Sequence, residues 1–159
     1  MPMKGQFPTQ FVLFRLANEE YAFDIGTIKE IQDLQQIAKV HRTPDYIEGV
    51  MNLRGKLVTV IDLRRRLGLL AKPPNASTKI VVIDAADAPV GFLVDEVTEV
   101  ATILPEAVEP PPAIVAQGIE AAYVLGIAKY GERLITIIDP IKILDLSVEG
   151  DAKGGGTNG

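Results

Sequence analysis

Short apolar runs rich in Val and Ile recur along the chain, broken by Gly, Pro, Asn and Asp. No stretch has the length and spacing of a long amphipathic helix. The clearest stretch is 47–67, IEGVMNLRGKLVTVIDLRRRL. Gly49 to Leu53 and Leu57 to Ile61 read as strands around an Arg54-Gly55 turn, a β-hairpin signal. Asp62 closes the second strand and can cap a helical turn from Leu63 to Leu67. The stretch from Gly126 to Leu144, GIAKYGERLITIIDPIKIL, repeats this unit at one constant offset. It matches Gly49/Gly126, Leu57/Leu134, Val58/Ile135, Thr59/Thr136, Val60/Ile137, Ile61/Ile138, Asp62/Asp139 and Leu67/Leu144 without a gap. Pro140 after Asp139 suits the first helical position behind a cap. The chain is built from two similar β-units.

The other runs extend the same pattern. Phe11 to Leu16 reads as a strand, Asn18 to Glu20 as a turn, and Tyr21 to Asp24 as the returning strand. A brief turn at Ile25 to Thr27 leads into a further strand, because successive isoleucines are poor helix formers. Ile37 to Val40 is a short strand candidate. Ala71 to Thr78 (AKPPNAST) has linker composition. The continuous apolar run of Lys79 to Asp84 (KIVVID) predicts a strand buried on both faces. Ala85 to Pro89 turns the chain, Val90 to Asp95 pairs back, and Val97 to Ile103 continues extended. The proline-rich Leu104 to Pro112 is expected to be irregular, and Ile114 to Ala122 a loop. Many short strands with only brief helical pieces point to all-β barrels rather than βαβ units.

With 159 residues, the chain fits one ordinary domain or two small ones sharing a core. Its 47% hydrophobic and 23% charged content predicts a folded globular body. A net charge of −5 argues against nucleic-acid binding, which needs a basic face. The dense basic patch, Arg64-Arg65-Arg66, reads as a solvated helix face. Without cysteine there is neither a disulfide framework nor a thiolate metal site. MPMKGQFPTQ lacks the apolar core of a secretory signal, and no apolar run approaches a membrane span. These features predict a soluble, intracellular protein without direct membrane insertion. Residues 1–9 read as a flexible lead-in and 149–159, polar and Gly-rich, as a disordered tail.

Groups for catalysis are scarce. The single histidine, His41, sits in a loop-like stretch with no activating partner near it in sequence. No phosphate-binding Gly-rich loop of either common type occurs. Asp62 and Asp139 read as helix caps at equivalent places in a repeat, not as paired catalytic carboxylates. Asp84 and Asp95 read as strand-end acids at the surface. The sequence therefore predicts no enzyme, cofactor or metal site, and surfaces must carry the function. The rival expectation is a small β-barrel enzyme or ligand-binding protein using the cleft between the two units.

The run from Ile28 through IKEIQDLQQIAKVHRTPDYIEGVMNLRGKLVTVIDL resembles the CheW family of chemotaxis coupling proteins. So do GFLVDEV (Gly91 to Val97) and the closing GERLITIIDPIKIL. The resemblance implies a CheW-like domain over 10–148, made of two intertwined five-stranded SH3-like β-barrels sharing an apolar seam. It implies a non-enzymatic, cytoplasmic adaptor recruited to membrane receptor arrays. Its partners would be chemoreceptor cytoplasmic tips and the regulatory domain of a CheA-type histidine kinase. Carried over by motif, the receptor groove falls on Ile25, Ile28, Glu30, Ile31, Arg54, Gly91, Val97 and Val100. Kinase contacts fall on Ile37, Val40, Ile47 and Ile114. For the isoleucines and valines, ordinary core packing is the competing reading, and Gly91 can instead serve close backbone approach within a barrel. The resemblance also implies that Arg54→Ala or Ile28→Asp lowers coupling while leaving the fold intact.

Overall fold

The computed structural model describes residues 9–85, 88–112 and 122–144. Eleven strands follow one another along these residues: β1 (Thr9–Leu16), β2 (Glu19–Asp24), β3 (Ile28–Asp33), β4 (Ile47–Leu53), β5 (Lys56–Asp62), β6 (Lys79–Asp84), β7 (Pro89–Val94), β8 (Glu96–Ile103), β9 (Val108–Glu109), β10 (Val124–Tyr130) and β11 (Arg133–Ile138). The short helix α1 (Leu63–Arg66) follows β5, and 3-10 turns occupy Ile25–Thr27 and Pro105–Ala107. A helical turn over 140–144 follows β11. The molecule is all-β.

The strands form two sheets, ordered β8-β1-β2-β11-β10-β9 and β3-β6-β7-β5-β4. The first has six strands where five were expected, because the two-residue β9 pairs along β10. Its counterpart in the second sheet is a single bridge, Ala38 to Val50, in place of the strand expected over Ile37 to Val40. Counting that bridge, the two sheets share one plan. In each, antiparallel pairing runs from an edge strand through a hairpin, a parallel pairing joins that hairpin to a second one, and a short edge element closes the row. The parallel joints are β11 with β2 and β5 with β7.

Matching the two pairing schemes aligns 10–33 with 79–102, and 46–67 with 123–144, without gaps. The first repeat is thus β1–β5 and the second β6–β11, yet neither repeat makes a barrel by itself. After its first hairpin each repeat sends a strand across: β3 leaves β2 to pair with β6, and β8 leaves β7 to pair with β1. Contacts this reciprocal define an approximate twofold axis. Two contacts between equivalent residues mark it. The rings of Phe23 and Phe92 lie 5.7 Å apart, and Arg66 Nη2 donates to the Ile143 carbonyl at 3.3 Å.

Three apolar clusters follow from the strand periodicity. In β1, Phe11 and Leu13 fill the six-stranded barrel, while Phe14 turns to the seam. In β6, Ile80 and Val82 fill the five-stranded barrel, while Val81 and Ile83 join the same seam. Both strands are buried on both faces, which explains why FVLF and KIVVID do not alternate with polar residues. The seam cluster also holds Phe23, Ile61, Leu63, Phe92 and Ile138.

The repeated motif has a backbone cause at each end. Gly49 and Gly126 sit at the register shifts of their hairpins. A Cβ on Gly49 would lie 2.1 Å from the Ala38 carbonyl oxygen, and one on Gly126 would lie 2.6 Å from Val108 Cγ1. Glycine is what lets the closing edge element approach. Asp62 and Asp139 are caps, as expected: Asp62 accepts from the Arg64 amide at 3.1 Å and Asp139 from the Ile141 amide at 2.9 Å.

Other expectations need correction. Thr9, placed in the lead-in, opens β1, and the turn before β2 is Ala17-Asn18, with Ala17 at φ 57°. The remaining lead-in and tail expectations fall outside the described residues. Arg64 is not a solvated residue, with a side chain only 11% exposed. Its Nε donates to Asp95 Oδ1 at 2.8 Å, its Nη2 to Asp95 Oδ2, and its Nη1 to the Leu70 carbonyl at 2.8 Å. Asp95, read as a surface acid, also accepts from the Ala17 amide at 2.9 Å. It therefore ties the start of the crossing strand β8 to α1 and to the β1–β2 turn.

Burial pushes the Asp95 carboxyl up, but the hydrogen bonds from Arg64 and Ala17 outweigh this and hold it below the ordinary carboxylate value. A depressed folded-state value gives stability that is present above the unfolded value of 3.8 and is lost as pH falls through the folded value. Thermal melts from pH 6 down to about pH 2 should accordingly show a shallower acid loss in Asp95→Asn than in the parent. The variant should also melt lower at pH 7. Equal acid slopes in the two proteins would show that Asp95 contributes nothing to the pH dependence.

Candidate protein-docking surface

The crossing strands carry five of the eight residues expected to line the receptor groove, Ile28, Glu30, Ile31, Val97 and Val100, and they run at equivalent positions. Alignment through β6 and β1 equates Ile28-Lys29-Glu30-Ile31 on β3 with Val97-Thr98-Glu99-Val100 on β8. Both strands have a register shift at the second position, so the flanking residues swing to fixed faces. Ile28 pairs with Ile83 and Val97 with Phe14, and both half-buried side chains pack against the seam cluster.

One step further out the apolar face reaches solvent. Residues directly opposite each other in antiparallel pairs share a face. Val100 therefore shares a row with Val12 and Phe23, and Ile31 with Val81 and Phe92. Each row begins at an axial phenylalanine and ends at an exposed apolar residue, Val100 at 52% and Ile31 at 39%. Ile25, on the 3-10 turn before β3, is 38% exposed. The seam core thus surfaces as an apolar margin along both crossing strands.

Glu30 faces the other way. It pairs with Val82, whose side chain belongs to the five-stranded barrel. There it accepts two hydrogen bonds from Arg54, Nη1 to Oε2 at 2.7 Å and Nη2 to Oε1 at 2.8 Å. Arg54 sits at the β4–β5 hairpin tip with φ 52°, followed by Gly55 at φ 85°, the two positive values of a type I′ turn. The Asn52 side chain accepts from the Gly55 amide at 2.8 Å and fixes that turn. Arg54 is 69% exposed and offers one guanidinium edge to solvent beside the margin of β3. Its hydrogen bonds hold the Glu30 carboxyl below the ordinary glutamate value. The equivalent acid on β8, Glu99, lies 3.5 Å from Arg133, which is itself held by Glu20 at 2.7 Å.

Two expected site residues, Gly91 and Ile28, are placed differently. Gly91 is buried, and a Cβ on it would meet Ile80 at 2.7 Å inside the five-stranded barrel. Its part is close packing rather than lining a groove. Ile28 supports the core, so Ile28→Asp would place a charge against the seam rather than leave the fold intact. Ile114 lies outside the described residues. Among the remaining expected kinase contacts, Ile37 packs on the five-stranded barrel core and Ile47 on the seam, both half-buried, while Val40 is exposed. The β8 half of the surface had a readable signal: Val12/Val81, Phe23/Phe92 and Glu30/Glu99 match at one constant spacing. Arg64, Arg133 and Glu20 had none, because their partners are distant in sequence.

A cavity of about 260 Å³ lies elsewhere, beneath the linker 71–78. Glu48, Asp62, Arg64, Arg65, Lys72 and Asp95 line it, three acids facing three cations. Such walls favour neither sign of ligand.

The family model described as CheW-like domain matches residues 10–148. The chain belongs to the CheW family. Among curated relatives, the chemotaxis protein CheW of Klebsiella aerogenes is 35% identical over 135 residues, covering 85% of this chain and 81% of that one. The chemotaxis protein CheW of Bacillus subtilis is 35% identical, covering 86% of each chain. The crystal structure of the scaffolding protein TtCheW from Thermoanaerobacter tengcongensis superposes with a TM-score of 0.78 at 36% identity, covering 87% of this chain and 88% of that one. The SH3-like, all-β architecture is that of this family. No helix among the described residues is long and apolar enough to cross a membrane.

Proposed function

We propose that this CheW-family chain is a non-enzymatic scaffold of a chemotaxis system. It couples the cytoplasmic tips of chemoreceptors to the regulatory domain of a CheA-type histidine kinase, in the cytoplasm at membrane receptor arrays. The observation that carries this reading is the apolar margin of Ile25, Ile31 and Val100, continuous with the seam core and bordered by the Arg54–Glu30 pair. An apolar strip with a charged border accepts the apolar face of a helical partner. The kinase contact falls at the end of the five-stranded barrel around Val40, with Ile37 and Ile47 as support. Each contact is small, as in transient signalling complexes, and array assembly adds avidity.

Pull-downs with a purified receptor-tip fragment and with a purified kinase regulatory domain test both halves of this proposal. Retention of neither fragment would refute it. Arg54→Ala separates docking from folding. The Arg54 side chain is largely exposed and its charge is screened by water, so the variant should melt close to the parent. Receptor-tip affinity measured by calorimetry should fall by about threefold or more. An unchanged affinity would remove Arg54 from the docking surface.

A further inference from the structure

The twofold relation between the crossing strands has a consequence for any partner that lies over them. This inference rests on the docking surface proposed above and concerns how that surface is read. Points related by a twofold axis lie at the same height along it, so the margins of β3 and β8 present matching apolar steps: Ile28 with Val97, and Ile31 with Val100. An antiparallel helical hairpin has an approximate twofold of its own. On apolar contacts alone it would fit in two orientations related by half a turn, and a scaffold that passes a signal in one direction cannot use both.

The charges break the equivalence. At matching positions Thr27, just before β3, and Lys29 on it answer to Glu96 and Thr98 on β8. Lys29 and Glu96 are both exposed. Glu30 is neutralised one-to-one by Arg54, whereas on the β8 side Glu20, Glu96 and Glu99 share Arg133 and Arg15, three acids against two cations. The β3 margin is thus net positive and the β8 margin net negative. The whole molecule follows the same polarity. Among the described residues, the segment 25–94, which forms the five-stranded barrel, has ten Lys and Arg against six Asp and Glu, a net of +4. The segments of the six-stranded barrel have four against ten, a net of −6. An overall charge of −5 conceals two barrels of opposite sign.

We infer that this charge polarity selects one of the two orientations of a docked helical hairpin, placing a helix with an acidic edge on the β3 side and a helix with a basic edge on the β8 side. The apolar margin supplies contact area, and Lys29 and Glu96, backed by the unequal Glu30 and Glu99 clusters, set direction. Electrostatic complementarity fixes register and suppresses wrong poses in this way.

The test uses two synthetic antiparallel helical hairpins with the same apolar face. One has an acidic edge on its first helix and a basic edge on its second, and the other has glutamine at all those positions. Each carries one nitroxide on the first helix, and paramagnetic broadening is read from the backbone amides of the full chain. The charged hairpin should broaden the five-stranded barrel alone, and the neutral hairpin both barrels. The double variant Lys29→Glu with Glu96→Lys should reduce the orientation bias for the charged hairpin at least fivefold or invert it. Broadening of both barrels by the charged hairpin, a neutral hairpin that also chooses one barrel, or a bias unmoved in the double variant would each overturn the inference while leaving the docking surface standing. Failure of both hairpins to bind would instead bring down the docking surface and this inference with it.

Discussion

Phe23→Ala should destabilise the whole molecule by about 3–5 kcal/mol, the usual loss for emptying a buried aromatic site. Phe23 is fully buried, lies 4.8 Å from the Phe14 ring and 5.7 Å from the Phe92 ring, and stands on the approximate twofold axis. Its row reaches β1 and β8 in one barrel, and Phe92 carries the contact into the other. Since small domains have only about 5–15 kcal/mol in hand, this is a large share of the total. Phe92→Ala should cost a similar amount, and the double variant less than the sum, because contacting residues share one interaction. Urea unfolding followed by fluorescence of the native tyrosines and by circular dichroism checks this. Both probes should give one coincident transition in the parent and in each variant. A variant that loses one barrel at low urea and keeps the other would show that the seam does not join them.

The second large effect is on binding. Val100→Asp and Ile31→Asp should each weaken receptor-tip binding by tenfold or more while leaving the fold intact. Both residues end their rows at the surface, so an added carboxylate there stays hydrated in the free protein. On docking it must lose that water beneath an apolar helix face, at a cost of about 1–3 kcal/mol or more. Calorimetry with the tip fragment, paired with a thermal melt of each variant, separates the two effects. Wild-type affinity in both would show that the seam margin is not where the receptor tip lies. Ile28→Asp cannot serve as the probe, because its unfolding would mimic lost binding.

Much of this architecture was legible along the chain. The copies at Gly49 and Gly126 stand out because each glycine is required by a backbone approach and each aspartate by a cap, so the chemistry resists drift. The first half of each repeat left a fainter trace, the three matches Val12/Val81, Phe23/Phe92 and Glu30/Glu99, for the opposite reason. Between 10–33 and 79–102 most equivalent core positions need only be apolar, so Phe11 answers to Ile80 and Leu13 to Val82. A pattern that conserves volume and face leaves little trace in residue identity. The strand exchange was expected from the family resemblance alone and not from the residue pattern, since it depends on which partner a strand chooses rather than on whether it is a strand. The Arg64–Asp95 pair shows the limit for charges. Three adjacent arginines look like a solvated face until a carboxylate 31 residues away is brought beneath one of them.

The exchange of strands also bears on how the molecule is made. β3 to β7 form a continuous stretch, so the five-stranded barrel can close once residue 94 has left the ribosome. The β1–β2 hairpin has no such luck: its parallel partner is β11, and Glu20 must wait for Arg133, 113 residues later. At translation rates of about 5–20 residues per second, that is a delay of roughly 6–23 s. During it, Phe11 and Leu13 have no opposite wall, and the nascent chain offers chaperones a defined window in which to bind.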